Sequence, residues 1–207
     1  MLPRSTILER WQLTPRELTE ILDENPSLRG ITLGYVAEYK ARKIFESSRQ
    51  VTGLRKPDDH DRTKKGDFIF TYKGREVSVE VKSLQTATVK PRKGGYAGKV
   101  QCDASDRRKV KLPNGREVET TCLLVGEFDL LAVNLFAFES VWRFIFARNE
   151  SLPRSTFRRY PADVKEHLLA TLIEVSWPVR PPPSCRAVRT VGSNCGGAPV
   201  NNDGSGT

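Results

Sequence analysis

Apolar positions in the first quarter of the chain recur at helical spacing. Leu18, Ile21 and Leu22 share one face of a short helix opened by Thr14-Pro15-Arg16-Glu17, a capping box with proline at the first helical position. Asn25-Pro26 ends it. Leu33, Val36, Ala37, Ala41, Ile44 and Phe45 keep the same spacing and predict a second helix over 32–47. Residues 53–66 are polar, contain Gly53, Pro57 and Gly66, and read as a loop. The period then changes to two: 67–72 and 76–82 read as strands, with Lys73-Gly74 as a two-residue hairpin turn. Residues 86–98 read as a basic loop, with a strand over 99–102. Pro113-Asn114-Gly115 marks a turn, 122–125, 128–138 and 141–147 are strand-like, and Val164, Leu168 and Leu172 predict a helix over 163–175. Helices, then mainly hairpin-linked strands, then a helix predict an α+β (mixed α/β) domain.

Composition separates the end of the chain from the rest. Five prolines and five glycines fall in 178–207, too little apolar material for a core, so a disordered Pro/Gly-rich tail is expected there. The longest apolar run, near 130–138, is far short of the roughly 20 residues of a membrane helix. Residues 1–20 carry six charges and fit no signal peptide. The expectation is a cytoplasmic protein with no membrane partner. Four cysteines without a CxxC pair, and only two histidines, argue against a zinc site; Cys102 and Cys122 read as small buried apolar residues. The formal charge of +9 points to an anionic partner.

The hairpin carries the chemistry. A two-residue turn at Lys73-Gly74 pairs Tyr72 with Arg75 and places Asp67 directly opposite Glu80, with Cβ atoms about 5 Å apart on one sheet face. Lys82, two residues further, shares that face, while Val77, Val79 and Val81 turn the other way with Phe68 and Phe70 as core. Opposed carboxylates repel unless a cation lies between them, and a hard divalent ion takes oxygen ligands while keeping waters for a phosphate and a nucleophile. A lysine beside it orients or deprotonates a water, or stabilises charge on the phosphate. The set points to metal-assisted phosphodiester hydrolysis. E-x-K alone carries little information, since Glu38-Tyr39-Lys40 also matches; the joint pattern of Asp, turn and E-x-K on the return strand is what counts. The bland alternative is a solvated hairpin face with a cross-strand Glu–Lys pair.

The stretch from Gly66-Asp67-Phe68-Ile69-Phe70 to Val79-Glu80-Val81-Lys82-Ser83 resembles the PD-(D/E)xK nuclease superfamily, which includes restriction endonucleases and archaeal-type Holliday junction resolvases. The resemblance covers roughly 31–147. It implies a restriction-endonuclease-like core, a mixed sheet built on a β-hairpin and flanked by helices. It also implies Mg²⁺ (Mn²⁺ substituting) held by Asp67 and Glu80, with Lys82 assisting the water. Many members carry a glutamate on the helix before the hairpin, and Glu38 looks like that residue, a third metal ligand. Asp67 is preceded by glycine, whereas a literal Pro57-Asp58 lies upstream. Asp58 is therefore a competing ligand, and the hairpin register favours Asp67. The chain then divides into an N-terminal helical extension (1–30), a nuclease-like domain (31–177) and the tail.

DNA is the partner the resemblance implies, and residues 85–118 hold nine Lys/Arg against three acids. Arg107, Arg108, Lys109 and Lys111 are the first candidates for phosphate contact. Lys99 belongs to the same segment, and Gln101 faces the site if 99–102 is the next strand. A homodimer would place one metal centre on each strand of a duplex. Two other classes stay open: an inactive nucleic-acid-binding module on the same fold, and an interaction subunit docking through its N-terminal helix and tail.

Overall fold

The computed structural model describes residues 5–58 and 66–178. Three helices open the chain: α1 (Ile7–Trp11), α2 (Pro15–Glu24) and α3 (Pro26–Glu46). Both α1 and α2 begin with a full capping box, Thr6 with Glu9 and Thr14 with Glu17. The expected start of the second helix at 32 is six residues late. Pro26 occupies the first turn, where its missing N–H costs nothing, and α3 runs unbroken across the boundary expected between 30 and 31.

The strands follow as β1 (Val51–Arg55), β2 (Phe68–Tyr72) and β3 (Arg75–Ser83). After a 3-10 turn at Thr86–Thr88 come β4 (Lys90–Arg92), β5 (Gly95–Gln101), β6 (Asp103–Lys111) and β7 (Glu117–Cys122). Then β8 (Leu130–Asn134), the short α4 (Phe136–Glu139), β9 (Phe144–Arg148), a single turn α5 (Ala162–Lys165) and β10 (Leu172–Trp177) complete the chain. The main sheet has the order β1-β2-β3-β8-β9. β3 and β8 are parallel and the other pairs antiparallel, so the sheet is mixed and the fold is α+β. A smaller sheet has the order β10-β5-β4, and β6 and β7 form a separate hairpin.

Alternation along β3 assigns its two faces. Val79 and Val81 pack with Phe68, Phe70, Ala132 and Phe144 beneath α3, whose Ala37 and Ala41 bring the helix close to the sheet. On the other face Leu131 and Val133 join Leu84, Val100, Cys102 and Leu169 in a core shared with the smaller sheet. Glu80 and Lys82 point to this second side.

Three expectations are corrected. The loop expected over 53–66 begins inside β1, which runs to Arg55; Gly53, with φ +60, is the bulge residue in that strand and not a chain break. The basic loop over 86–98 is the β4–β5 hairpin, whose Pro91 and Gly94-Gly95 mimic loop composition. An added Cβ at Gly95 would lie 1.9 Å from the Trp177 carbonyl oxygen, so close approach of β10 requires glycine there. The helix over 163–175 is one turn only. Leu172–Trp177 instead pairs residue by residue with β5, burying Val175 and exposing Glu174. The expected strand 122–125 lies instead at 117–122 as β7, sharing only Cys122; 128–138 shortens to β8, with α4 taking its end, and 141–147 becomes β9 at 144–148. The expected tail beyond 178, with Cys185 and Cys195, lies outside the described residues.

Candidate active site

The turn at Lys73-Gly74 forms as expected, both residues at positive φ (50° and 77°), the conformation a two-residue hairpin needs. The ladder above it pairs Tyr72 with Arg75 through to Phe68 with Val79, the register read from the sequence. Asp67 continues this line. Its N–H donates to the Val79 carbonyl (2.8 Å), and its Oδ2 accepts the N–H of Val81 (2.6 Å), so it straddles the backbone of Glu80. Gly66 explains the missing proline. It sits at φ +79, and an added Cβ would meet the Val79 carbonyl at 2.8 Å. Proline, locked near φ −65°, cannot turn the chain there. Asp58 is exposed, and Asp67 is the aspartate in the field of Glu80.

Two further carboxylates bear on Asp67, Glu80 of β3 and Glu38 of α3. Burial, then Glu80, then Glu38 push the Asp67 carboxyl up to about 8, against the opposing pull of the Val81 N–H and Lys82. Lys82 Nζ lies 2.8 Å from Glu80 Oε1, both side chains largely buried. Burial alone would lower the Lys82 ammonium, but the Glu80 and Asp67 charges outweigh it and hold the group above its ordinary value. Glu38 Oε2 accepts from Lys56 Nζ at 2.7 Å, and Lys56 lies 4.5 Å above the Tyr35 ring. Cys102, fully buried on the strand side facing Lys82, has its thiol pushed up to about 12, chiefly by burial. It packs as a small apolar residue at the floor of the site.

The donor set suits a hard cation. It is all carboxylate oxygen, it outnumbers its two lysines once Asp67 is ionised, and Asp67 is destabilised by burial and like charge. Among the described residues no group of three His, Cys, Asp or Glu side chains is placed to hold a metal ion together. Magnesium does not require one, since it is usually held by one or two carboxylates, with waters and phosphate filling its octahedron.

The candidate contact residues divide. Lys99 and Gln101 are exposed on β5, alternating with buried Val100 and Cys102. Gln101 faces away from Lys82; its amide oxygen accepts from Gln85 (2.7 Å) and its amide NH₂ donates to Asp103 (3.1 Å). Arg107, Lys109 and Lys111 are exposed on β6, but Lys109 lies opposite Glu119 and Lys111 opposite Glu117 across the hairpin. Arg108 is not available as a surface cation. Its guanidinium clasps Glu127 (Nη2 to Oε2, 2.5 Å) and raises its own pKa above the ordinary value through that hydrogen bond. The β4–β5 segment, 86–101, contains Lys90, Arg92, Lys93 and Lys99 and no acid of its own, but Glu174 of β10 lies opposite Lys99 and pairs with Arg92 (2.7 Å), whereas Lys90 lies opposite Ala97.

Sequence reasoning missed Lys56, because a lysine in a polar stretch carries no local sign of a partner on α3. It also missed Glu127 as the anchor of Arg108, nineteen residues away. Asp129, read as structural, is so: it accepts from the Ser78 N–H (2.8 Å), the Ser78 hydroxyl (2.9 Å) and Arg75 (2.8 Å). Among the described residues no helix is long and apolar enough to cross a membrane.

No family model and no curated protein matches the chain. Among solved structures, a bacterial homing endonuclease aligns over 65% of this chain and 85% of its own, with 19% identity and a TM-score of 0.37.

Proposed function

We propose that the chain is a metal-dependent endonuclease of the PD-(D/E)xK type that hydrolyses phosphodiester bonds in DNA. The observation that carries this reading is the placement of Asp67 beside Glu80 across the hairpin, its N–H on the Val79 carbonyl and its Oδ2 on the Val81 N–H, with Lys82 ion-paired to Glu80. Asp67, Glu80 and Glu38 would hold Mg²⁺, with Mn²⁺ substituting. Bound there, the cation supplies a Lewis acid for a phosphoryl oxygen and an acidified water.

The chain's own residues do the rest. The Val81 N–H fixes one oxygen of Asp67 and leaves the other for a ligand. Lys82 holds Glu80 in place and presents a fixed positive charge beside it, suited to orienting a water or to stabilising charge that develops on the phosphate. Glu38, whose Oε2 accepts from Lys56 Nζ at 2.7 Å, would give that oxygen to the metal, with Lys56 as a second cation beside it. The β4–β5 hairpin, tied to the end of β3 by the Gln85 N–H on the Lys99 carbonyl (2.9 Å), offers exposed Lys90, opposite Ala97, to the phosphate backbone.

The test is cleavage of plasmid, linear, single-stranded and branched DNA with Mg²⁺, Mn²⁺ or EDTA, for wild type and for Asp67→Ala and Lys82→Ala. Calorimetric titration of metal into wild type and Asp67→Ala runs beside it. Metal-dependent cutting lost in both variants, with metal binding weakened only in Asp67→Ala, supports the reading. Cutting in EDTA, or normal cutting by Asp67→Ala, overturns it. DNA binding without any cutting would assign the chain to the inactive-module class.

A further inference from the structure

Among the described residues, three ion pairs have both partners largely buried: Arg108–Glu127, Lys82–Glu80 and Lys56–Glu38. The first joins β6 to the turn before β8 and serves the fold. The second is the pair of the E-x-K pattern. The third joins the residue after β1 to the middle of α3, and it is placed with some care. β1 ends at Arg55, which pairs with Glu76 of β3. Pro57 follows and restricts the Lys56 backbone to extended conformations. The Lys56 ammonium lies 2.7 Å from Glu38 Oε2 and 4.5 Å above the ring of Tyr35, one turn earlier on the same helix. Two side chains of α3 thus hold one positive charge at Glu38.

That charge stands beside the acidic site. Glu38 is one of the two carboxylates whose charge bears on Asp67. Yet among the described residues no group of three acidic or other metal-ligating side chains is placed to hold an ion together. Both facts follow if Glu38 is turned to Lys56. An ammonium and a divalent ion compete for one carboxylate oxygen, because they repel each other and need the same lone pairs. Lysine suits such an exchange. Its charge sits at the end of a flexible four-carbon stem and can leave without any movement of the backbone.

We infer that Lys56 is the resident counter-ion of the site: it occupies Glu38 Oε2 until Glu38 yields that oxygen to a divalent cation, and so sets the metal concentration at which the site fills. The inference rests on the nuclease reading above and adds the group that regulates it. Lys56 is a positioning residue, since it acts through Glu38. Removing its charge tightens metal binding, whereas removing a mere tether between β1 and α3 leaves it unchanged or weakens it. The tightening requires the Glu38 carboxylate.

Calorimetric titration of Mg²⁺ and of Mn²⁺ into the DNA-free full chain tests this, for wild type, Lys56→Met, Glu38→Gln, the double variant and Asp67→Ala. Methionine keeps an apolar stem on Tyr35 and removes the charge. Lys56→Met should bind metal about fivefold more tightly than wild type. The same change made in Glu38→Gln should shift affinity less than about twofold. Lys56→Gln carries the same expectation should circular dichroism show that Lys56→Met fails to fold. Unchanged or weaker binding in the position-56 variant overturns the inference, as does equal tightening in the Glu38→Gln background. Either result leaves the nuclease reading standing as long as Asp67→Ala weakens metal binding. A wild type that binds neither metal, or an Asp67→Ala that binds as wild type does, overturns both.

Discussion

Asp67 and Asp129 sit against the same strand and make the same first contact. Each accepts a backbone N–H of β3, from Val81 and from Ser78. Their surroundings then part. Asp129 gains a hydroxyl and an arginine, so the charge that β3 begins to satisfy is satisfied completely. Asp67 gains two carboxylates, and burial and like charge raise its pKa to about 8. One aspartate serves the fold, while the other is held in the fold at a cost. That contrast separates a structural carboxylate from a site more sharply than burial or sequence pattern does.

The largest expected difference is in activity. Asp67→Ala should lower metal-dependent cleavage by about 10³-fold or more with DNA binding retained, whereas Asp129→Ala, assayed below its melting temperature, should stay within about threefold of wild type. Equal losses would erase the distinction. Stability should invert it. Asp129→Ala strands Arg75 and the Ser78 N–H and should cost about 1–3 kcal/mol in urea unfolding. Asp67→Asn keeps an acceptor for the Val81 N–H, removes the repelled charge and should stabilise the metal-free protein by about 1–2 kcal/mol.

The pH dependence sharpens the same point. A carboxyl raised from 3.8 to about 8 binds its proton more tightly folded than unfolded. Its contribution to stability is therefore full below about pH 4 and is lost as pH rises towards 8. Metal-free wild type should lose stability across that window relative to Asp67→Asn, as thermal melts in EDTA would record. Added Mg²⁺ should restore more of it at pH 8 than at pH 5. The smallest effect concerns two lysines. Lys90→Ala, with Ala97 opposite, should weaken duplex binding about three- to fivefold and lower the salt slope by about one. Lys109→Ala, with Glu119 opposite, should change affinity less than about twofold.

What the sequence made legible, it made legible through local rules. A two-residue turn leaves the β2–β3 register no freedom, so the Asp67–Glu80 opposition follows from Lys73-Gly74 alone. The same rules failed where composition imitates another structure. Pro91 and two glycines concealed β4–β5, and the accidental spacing of Val164, Leu168 and Leu172 concealed β10 behind a helix. Period two was present in Leu172–Trp177, where Ile173, Val175 and Trp177 turn inward, but the longer helical spacing drew the reading away. Contacts between distant segments were beyond reach. Nothing near Arg108 names Glu127, and nothing near Lys56 names Glu38. The expected basic stripe on β6 weakened for the same reason, because Glu117 and Glu119 become its neighbours only when the hairpin closes.

The parallel pairing of β3 with β8 has a kinetic side. The β2–β3 hairpin needs only a two-residue turn and can form within microseconds, but Ser78 and Asp129, which join β3 to the lead-in of β8, are 51 residues apart. Loop closure over that span is slow. During folding, and during synthesis from the N-terminus, β3 therefore carries its carboxylates and lysine on a strand with one bare edge until β8 arrives. The β2–β3 hairpin is an early product of folding and its anchorage a late one, so the interval between them is when this chain is most open to pairing with the wrong strand.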